Sequence, residues 1–186
     1  ENAIMKVDTD LDFQINQDEF FTQAKTNKNT GEAEIYGLTA SASLRIASNY
    51  TLETDYTYIK GRNTYQNRPF THIPPSFGKT AFYADFDDWR ASFFILYNGR
   101  KSIDEYDLES GTDNEQESPI EWVLSEEGNL IPEFQGTPAW MTLNMNFMYR
   151  FSDLFTVQIA LENMLDEHYK TFSSGLSAPG RNFVIT

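Results

Sequence analysis

The chain of 186 residues carries a formal net charge of -14, contains 15% aromatic residues and has no cysteine. The acidity argues against nucleic acid, which requires a basic footprint. Without cysteine there is no disulfide, no thiolate metal site and no cysteine nucleophile, while the length suits one domain and the aromatic content leans toward β structure and interfacial belts.

The first thirty residues are the least patterned. Ala3–Val7 and Leu11–Ile15 read as strand pieces, and one of them is a candidate eighth strand. Gln17–Thr30 is polar and reads as a loop enclosing Phe20 and Phe21. From Ala33 a period of two sets in, the spacing of a strand with one apolar and one polar face. Leu38, Ala40, Ala42, Leu44 and Ile46 alternate with Gly37, Thr39, Ser41, Ser43 and Arg45. After a turn at Ala47–Asn49, Tyr50, Leu52, Thr54, Tyr56 and Tyr58 alternate with Thr51, Glu53, Asp55 and Thr57.

A polar, proline-bearing loop spans Arg62–Ser76. Thr80, Phe82, Ala84 and Phe86 then share a face, and beyond the Asp87-Asp88 turn Trp89, Ala91, Phe93, Ile95 and Tyr97 continue it. The longest connection runs to Thr137. Past it, Met141 to Phe151 and then Val157, Ile159 and Leu161 alternate with polar residues. Seven strands are predicted, at 33–46, 50–61, 78–86, 89–99, 138–151, 155–165 and 180–186. Most exceed the roughly five or six residues usual in soluble sheets and reach the about nine to eleven that a tilted bilayer-crossing strand needs. No apolar run approaches a membrane-crossing helix; the longest is Phe93–Leu96.

Alternation does not say whether the apolar face meets lipid or a protein core. Loop lengths do. The connections at 47–49, 87–88 and 152–154 are short, those at 62–77, 100–137 and 166–179 are long, and the two kinds strictly alternate. An up-and-down antiparallel sheet then has all short turns at one end and all long loops at the other, as outer-membrane barrels do. Tyr50, Phe86, Trp89, Tyr149, Phe151 and Phe155 flank the short turns, while Tyr58, Tyr97 and Tyr36 lie toward the long loops, with small residues such as Ala42, Ala84 and Ala91 between. Two aromatic belts bracketing a small-residue band are expected at two membrane interfaces. The fold expected is all-β, an antiparallel up-and-down transmembrane β-barrel sector. Its seven to eight strands would be part of a larger barrel, because the polar face is rich in small residues that suit a wide, wet lumen.

Specific motifs support this. The run Glu162-Asn163-Met164-Leu165-Asp166-Glu167-His168-Tyr169 followed by Pro179-Gly180-Arg181-Asn182-Phe183 resembles the C-terminal end of TonB-dependent outer-membrane receptors. Asn29–Leu38, the loop Pro69–Gly78 (PFTHIPPSFG) and Pro138-Ala139-Trp140 resemble further family segments in the same order. The resemblance implies a barrel of about 22 strands with a globular plug, bacterial outer-membrane location, contact with lipid, and uptake of a scarce small ligand such as a ferric siderophore, cobalamin or a glycan. It further implies coupling to the TonB complex through an N-terminal part. Residues 1–186 contain no plug or TonB-contacting box and their last strand lacks the family's terminal aromatic, so they are expected to be the C-terminal part of such a barrel. Alternative readings are a complete small outer-membrane barrel with an adhesive or structural role, and a soluble lipocalin-like binder.

Nothing points to an enzyme or a bound cofactor. Phosphate loops, nucleophile elbows and zinc signatures are missing. Glu53 and Asp55 share a strand face, but such pairs more often line a hydrated wall or pair with an arginine, here Arg45 or Arg90, than perform acid–base work. His72 and His168 lack partners at ligand spacing. Asp104–Gly136 holds 11 acids and no Lys or Arg, and so accounts for 11 of the 14 net negative charges. It reads as an external loop with a hairpin formed by Ile120–Leu124 and Asn129–Phe134 around Ser125–Gly128. Within it Tyr106, Trp122, Glu126 and Glu127 are the candidate ligand contacts. Glu162, Asn163, Asp166, Tyr169, Gly180 and Arg181 are the candidate structural motif, with Glu162 and Arg181 expected to pair across the last hairpin.

Overall fold

The computed structural model describes residues 3–6, 21–24, 32–108 and 120–186, the first two segments as backbone strands. The strands are β1 Ala3–Lys6, β2 Phe21–Ala24, β3 Ala33–Ala47, β4 Tyr50–Asn63, β5 Arg68–Pro69, β6 Phe77–Asp85 and β7 Trp89–Asn98. They continue with β8 Lys101–Ser102, β9 Ile120–Leu124, β10 Leu130–Phe134, β11 Gly136–Thr137, β12 Trp140–Ser152, β13 Phe155–Glu162 and β14 Asn182–Ile185. One short 3-10 turn, Ile103–Glu105, follows β8.

The main sheet has the order β14-β13-β12-β7-β6-β4-β3, with β5 added at the end of β4. Every long strand pairs antiparallel with its neighbour along the chain, so this is the expected meander. Its two outer strands, β3 and β14, do not pair with one another, and the described sheet is an open wall. The stretch from 17 to 30 was expected to be a loop. It contains β2, which pairs with β1 in a separate two-stranded sheet (Ala3 opposite Ala24), so β1 does not extend the main wall. Leu11–Ile15 lies outside the described residues. The two-residue pieces β5, β8 and β11 carry too little periodicity to be read from sequence.

Register fixes the two faces. Leu44 sits opposite Leu52, Leu52 opposite Phe82, Phe82 opposite Phe93, Phe93 opposite Met145, Met145 opposite Leu161, and Leu161 opposite Phe183. Residues directly across a ladder project to the same side. One row therefore crosses all seven strands with an apolar side chain at every position. The next row, from Ser43 through Glu53, Ala81, Phe94 and Asn144, lies on the other side and is mostly small or polar. A slip of one residue in any strand would turn that strand's apolar set to the polar side.

The apolar face is uncovered: Leu38, Leu44, Phe93, Met141 and Ile185 are all exposed. A contiguous exposed apolar face marks a surface that something apolar covers. A string of rings follows its short-turn rim. Tyr50 stacks on Phe82 at 5.7 Å and meets Phe86 edge-on at 5.7 Å, Phe86 stacks on Trp89 at 4.4 Å, and Trp89 approaches Phe147 at 6.2 Å. Farther along, Phe151 bridges Tyr149 at 4.5 Å and Phe155 at 5.4 Å. The belt inferred from sequence is thus present at this end as two strings of touching rings.

Neighbouring residues on β7 separate the faces experimentally. In lipid vesicles Phe93→Arg is expected to destabilise the folded barrel by about 2–4 kcal/mol, the cost of a cation at mid-depth on a lipid-facing surface. Ser92→Arg, on the other face, should change the urea midpoint little. Equal losses from both would contradict the assignment of faces.

Candidate functional site

The long connections do not stand away from the sheet. Three of them converge at the end opposite the aromatic rim. The loop after β4 folds back so that Phe70 N–H donates to the Gly61 carbonyl at 3.0 Å. A Cβ on Gly61 would lie 2.9 Å from atoms of both Phe70 and Ile73, so glycine is what lets this loop lie flat on β4. Gly61 is two residues beyond Ile59, which pairs with Gly37 in the polar row, so the loop covers that face.

Lys101 joins the loops. Only 3% exposed, it donates from Nζ to the Ile73 carbonyl at 2.8 Å and lies over the rings of Tyr106 (4.3 Å) and Phe172 (4.5 Å). Tyr106 in turn shares a 2.6 Å hydrogen bond with Thr137, at the far end of the same long connection. One ammonium thus touches all three long loops: Ile73 before β6, Tyr106 between β7 and β12, and Phe172 between β13 and β14. A buried ammonium needs its charge met by polar or ionic partners, and a carbonyl oxygen and two ring faces are among those of Lys101. Arg68 and Asp107 add a 3.5 Å ion pair between two of the loops. Lys60, near the loop end of β4, pairs with Glu105. Beside this cluster lies a cleft of about 530 Å³, lined by Tyr58, Lys60, Phe70, Ile73, Arg100 and Glu105 among others.

The motif after β13 closes the remaining loop. Asn163 turns the chain with φ 48, a left-handed conformation that asparagine tolerates better than most residues. It is 3% exposed and fully engaged. Its backbone N–H donates to Asn144 Oδ1 at 2.9 Å, its Oδ1 accepts from Glu167 N–H at 2.9 Å, and its Nδ2 donates to the carbonyls of Glu167 (2.9 Å) and Pro179 (3.2 Å). Asp166, at φ 58, accepts the Arg181 backbone N–H at 2.8 Å, and a Cβ on Gly180 would lie 2.8 Å from the same carboxylate oxygen. Tyr169 places its ring 4.1 Å from that of Trp140.

The expected Glu162–Arg181 pair is corrected by the register. Glu162 lies opposite Asn182 and accepts a hydrogen bond from its Nδ2 at 3.1 Å; Arg181 falls one residue away, with its side chain exposed. Nor do Glu53 and Asp55 pair with Arg90, whose Nε binds Asp85 at 2.8 Å while Glu53 takes the Ser43 hydroxyl at 3.4 Å. His168 shares a 3.0 Å hydrogen bond with Ser177, and His72 occupies a loop position at φ 57.

The four candidate ligand contacts do not form one site. Tyr106 is 5% exposed and serves the loop cluster. Trp122, Glu126 and Glu127 lie on the exposed β9–β10 hairpin, whose tip is closed by Ser125 N–H donating to the Asn129 carbonyl at 2.8 Å. Sequence reasoning missed Lys101 and Phe172, because their importance comes from contacts between loops distant in the chain.

Removal of these groups separates their roles. Asn163→Ala discards three side-chain hydrogen bonds to buried partners and a favoured left-handed turn, and should cost about 2–4 kcal/mol in unfolding experiments. Arg181→Ala should leave the unfolding midpoint unchanged, since only its backbone N–H is used. Lys101→Met, which keeps the stem and removes the charge, should leave the barrel folded but make limited proteolysis of the long loops several-fold faster; unchanged cleavage would show that Lys101 does not hold them.

Comparison with known proteins agrees with this architecture. A family model described as TonB dependent receptor-like, beta-barrel matches residues 2–164. No curated protein sequence matches the chain significantly. Among solved structures, a chain described as the copper transporter OprC is similar in fold, with 17% identity and a TM-score of 0.61 over 82% of this chain and 23% of that one. The chain therefore spans under a quarter of that relative's length. With a two-faced meander, long loops gathered at one end and a family match over most of its residues, this chain belongs to the TonB-dependent receptor-like β-barrel family.

Proposed function

We propose that the chain forms a sector of an outer-membrane active transporter, with the apolar face toward lipid and the polar face toward a water-filled, plugged lumen. The observation that carries this is the seven-strand register, which places an uncovered apolar surface and a small-polar surface on opposite sides of one wall. Backbone in hydrocarbon must have every strand paired on both sides, and β3 and β14 lack each other as partners, which supports a wall continued by further strands. The same openness speaks against a self-contained small barrel, and the uncovered apolar side chains speak against a soluble lipocalin-like binder.

On this reading the family's transport role applies and catalysis does not. The ligand is a scarce solute, such as a ferric siderophore, cobalamin or a glycan; the copper transporter of similar fold adds copper to the classes worth testing. External loops receive it, with Trp122, Glu126 and Glu127 available for contact, while Lys101 and Tyr106 hold the loops in place. Energy reaches the barrel from TonB through parts of the receptor other than this wall.

Uptake by cells carrying the complete receptor gene tests the proposal. Accumulation of one labelled solute from these classes should exceed that of an empty-vector strain several-fold and fall to background when TonB is inactivated or the proton gradient is collapsed. Accumulation indifferent to both treatments would describe a passive pore and overturn the proposal.

A further inference from the structure

The β9–β10 hairpin presents a feature that the sheet does not explain. Ile120 pairs with Phe134, Trp122 with Pro132, and Leu124 with Leu130. Paired residues share a side, so one face of this ribbon carries six apolar side chains and no polar one. It is not buried: Trp122 is 67% exposed, Leu124 72% and Leu130 64%. The ribbon is nonetheless ordered by five register pairs and a tip in which Gly128, at φ 80, donates to the Ser125 carbonyl at 2.9 Å. A pre-formed, exposed apolar strip marks an interaction surface.

Its surroundings narrow the partner. Glu126 and Glu127 occupy the tip, and Glu121 and Glu133 face each other on the reverse side. No Lys or Arg occurs anywhere from Asp104 to Gly136, against 11 acids. An anionic membrane surface would repel such a loop. A second copy, itself at -14, would be repelled likewise. An anionic chelate gains nothing from it. A partner with both apolar and basic groups satisfies the face and its rim together.

We propose that this face docks a cationic amphipathic polypeptide segment, with Trp122, Leu124 and Leu130 as apolar anchors and Glu126 and Glu127 as the charged rim. Tryptophan anchors in such contacts carry much of the binding energy. The proposal depends on the transport reading only in placing the hairpin outside the cell, and binding is measured here without energy or uptake.

The test uses the complete receptor in zwitterionic lipid nanodiscs, with empty discs subtracted. The probes are three labelled peptides of equal length: alternating Leu and Lys, alternating Leu and Glu, and alternating Ser and Lys. The Leu/Lys peptide should bind at least on the order of tenfold more tightly than either of the others. A Trp122→Ser/Leu124→Ser receptor should lose binding on the order of tenfold or more, and Glu126→Gln/Glu127→Gln should weaken it and flatten its salt dependence. Heat-modifiable gel migration checks that each variant remains a folded barrel. Equal binding of the Leu/Glu peptide would assign the face to a partner chosen for apolarity alone, and Trp122-dependent dimerisation would assign it to a second copy; either result, or undiminished Leu/Lys binding by the folded double-serine receptor, overturns the proposal.

Discussion

On the proposed reading, the whole structure depends on the pairing of backbone groups in a wall that one side cannot hydrate. Each N–H and C=O in such a wall must find its partner on the adjacent strand. That requirement forces long, uninterrupted ladders, and β3 with β4 runs from Ala33 opposite Asn63 to Ala47 opposite Tyr50 with a single irregularity near the turn. Once the ladders are fixed, the strict alternation of side chains does the rest. Apolar rows and polar rows cannot mix without breaking a ladder, so the two faces are a consequence of the pairing and not an independent feature.

The two ends of the wall solve different problems. At the short-turn end, connections of a few residues leave little backbone to satisfy, and aromatic rings fill the rim in sequence from Phe82 to Phe147. At the other end, long connections bring many polar groups together, and the chain meets their needs with buried side chains. Asn163 satisfies groups from β12, Glu167 and Pro179 at once, and Lys101 draws three loops to one ammonium. Removing either would leave buried donors or acceptors unpaired, the costlier kind of loss. The long loops at this end are thereby held together as a unit.

How much of this was legible in the sequence follows from the range of the interactions involved. The long strands, their faces and the alternation of short and long connections are local patterns, and the structure reproduces them within a few residues at each end. So is the β9–β10 hairpin, which two apolar alternations around Ser125–Gly128 announce. Non-local facts were not legible. Tyr106 looked like an exposed contact, but its burial depends on Thr137 and Phe172, far away in the chain. Glu162 looked like a partner for Arg181, and only the register reveals Asn182. Phe21–Ala24 lies in a polar stretch whose composition suggests a loop, and it becomes a strand by pairing with β1. Trp122, Glu126 and Glu127 are where the sequence put them, on an exposed loop, and their apolar neighbours across the ribbon are what give that loop a specific chemistry.

The central claim is that one side of this wall meets lipid and the other meets water. The chain has no cysteine, so single cysteines placed in turn along Trp89–Asn98 can carry a nitroxide without competing labels from this segment. In the reconstituted receptor, collision with oxygen should be high at 91, 93, 95 and 97 and collision with a polar nickel chelate high at 90, 92, 94 and 96, giving two profiles of period two in opposite phase. Profiles that rise and fall together, or that show the chelate favouring the odd positions, would contradict the account.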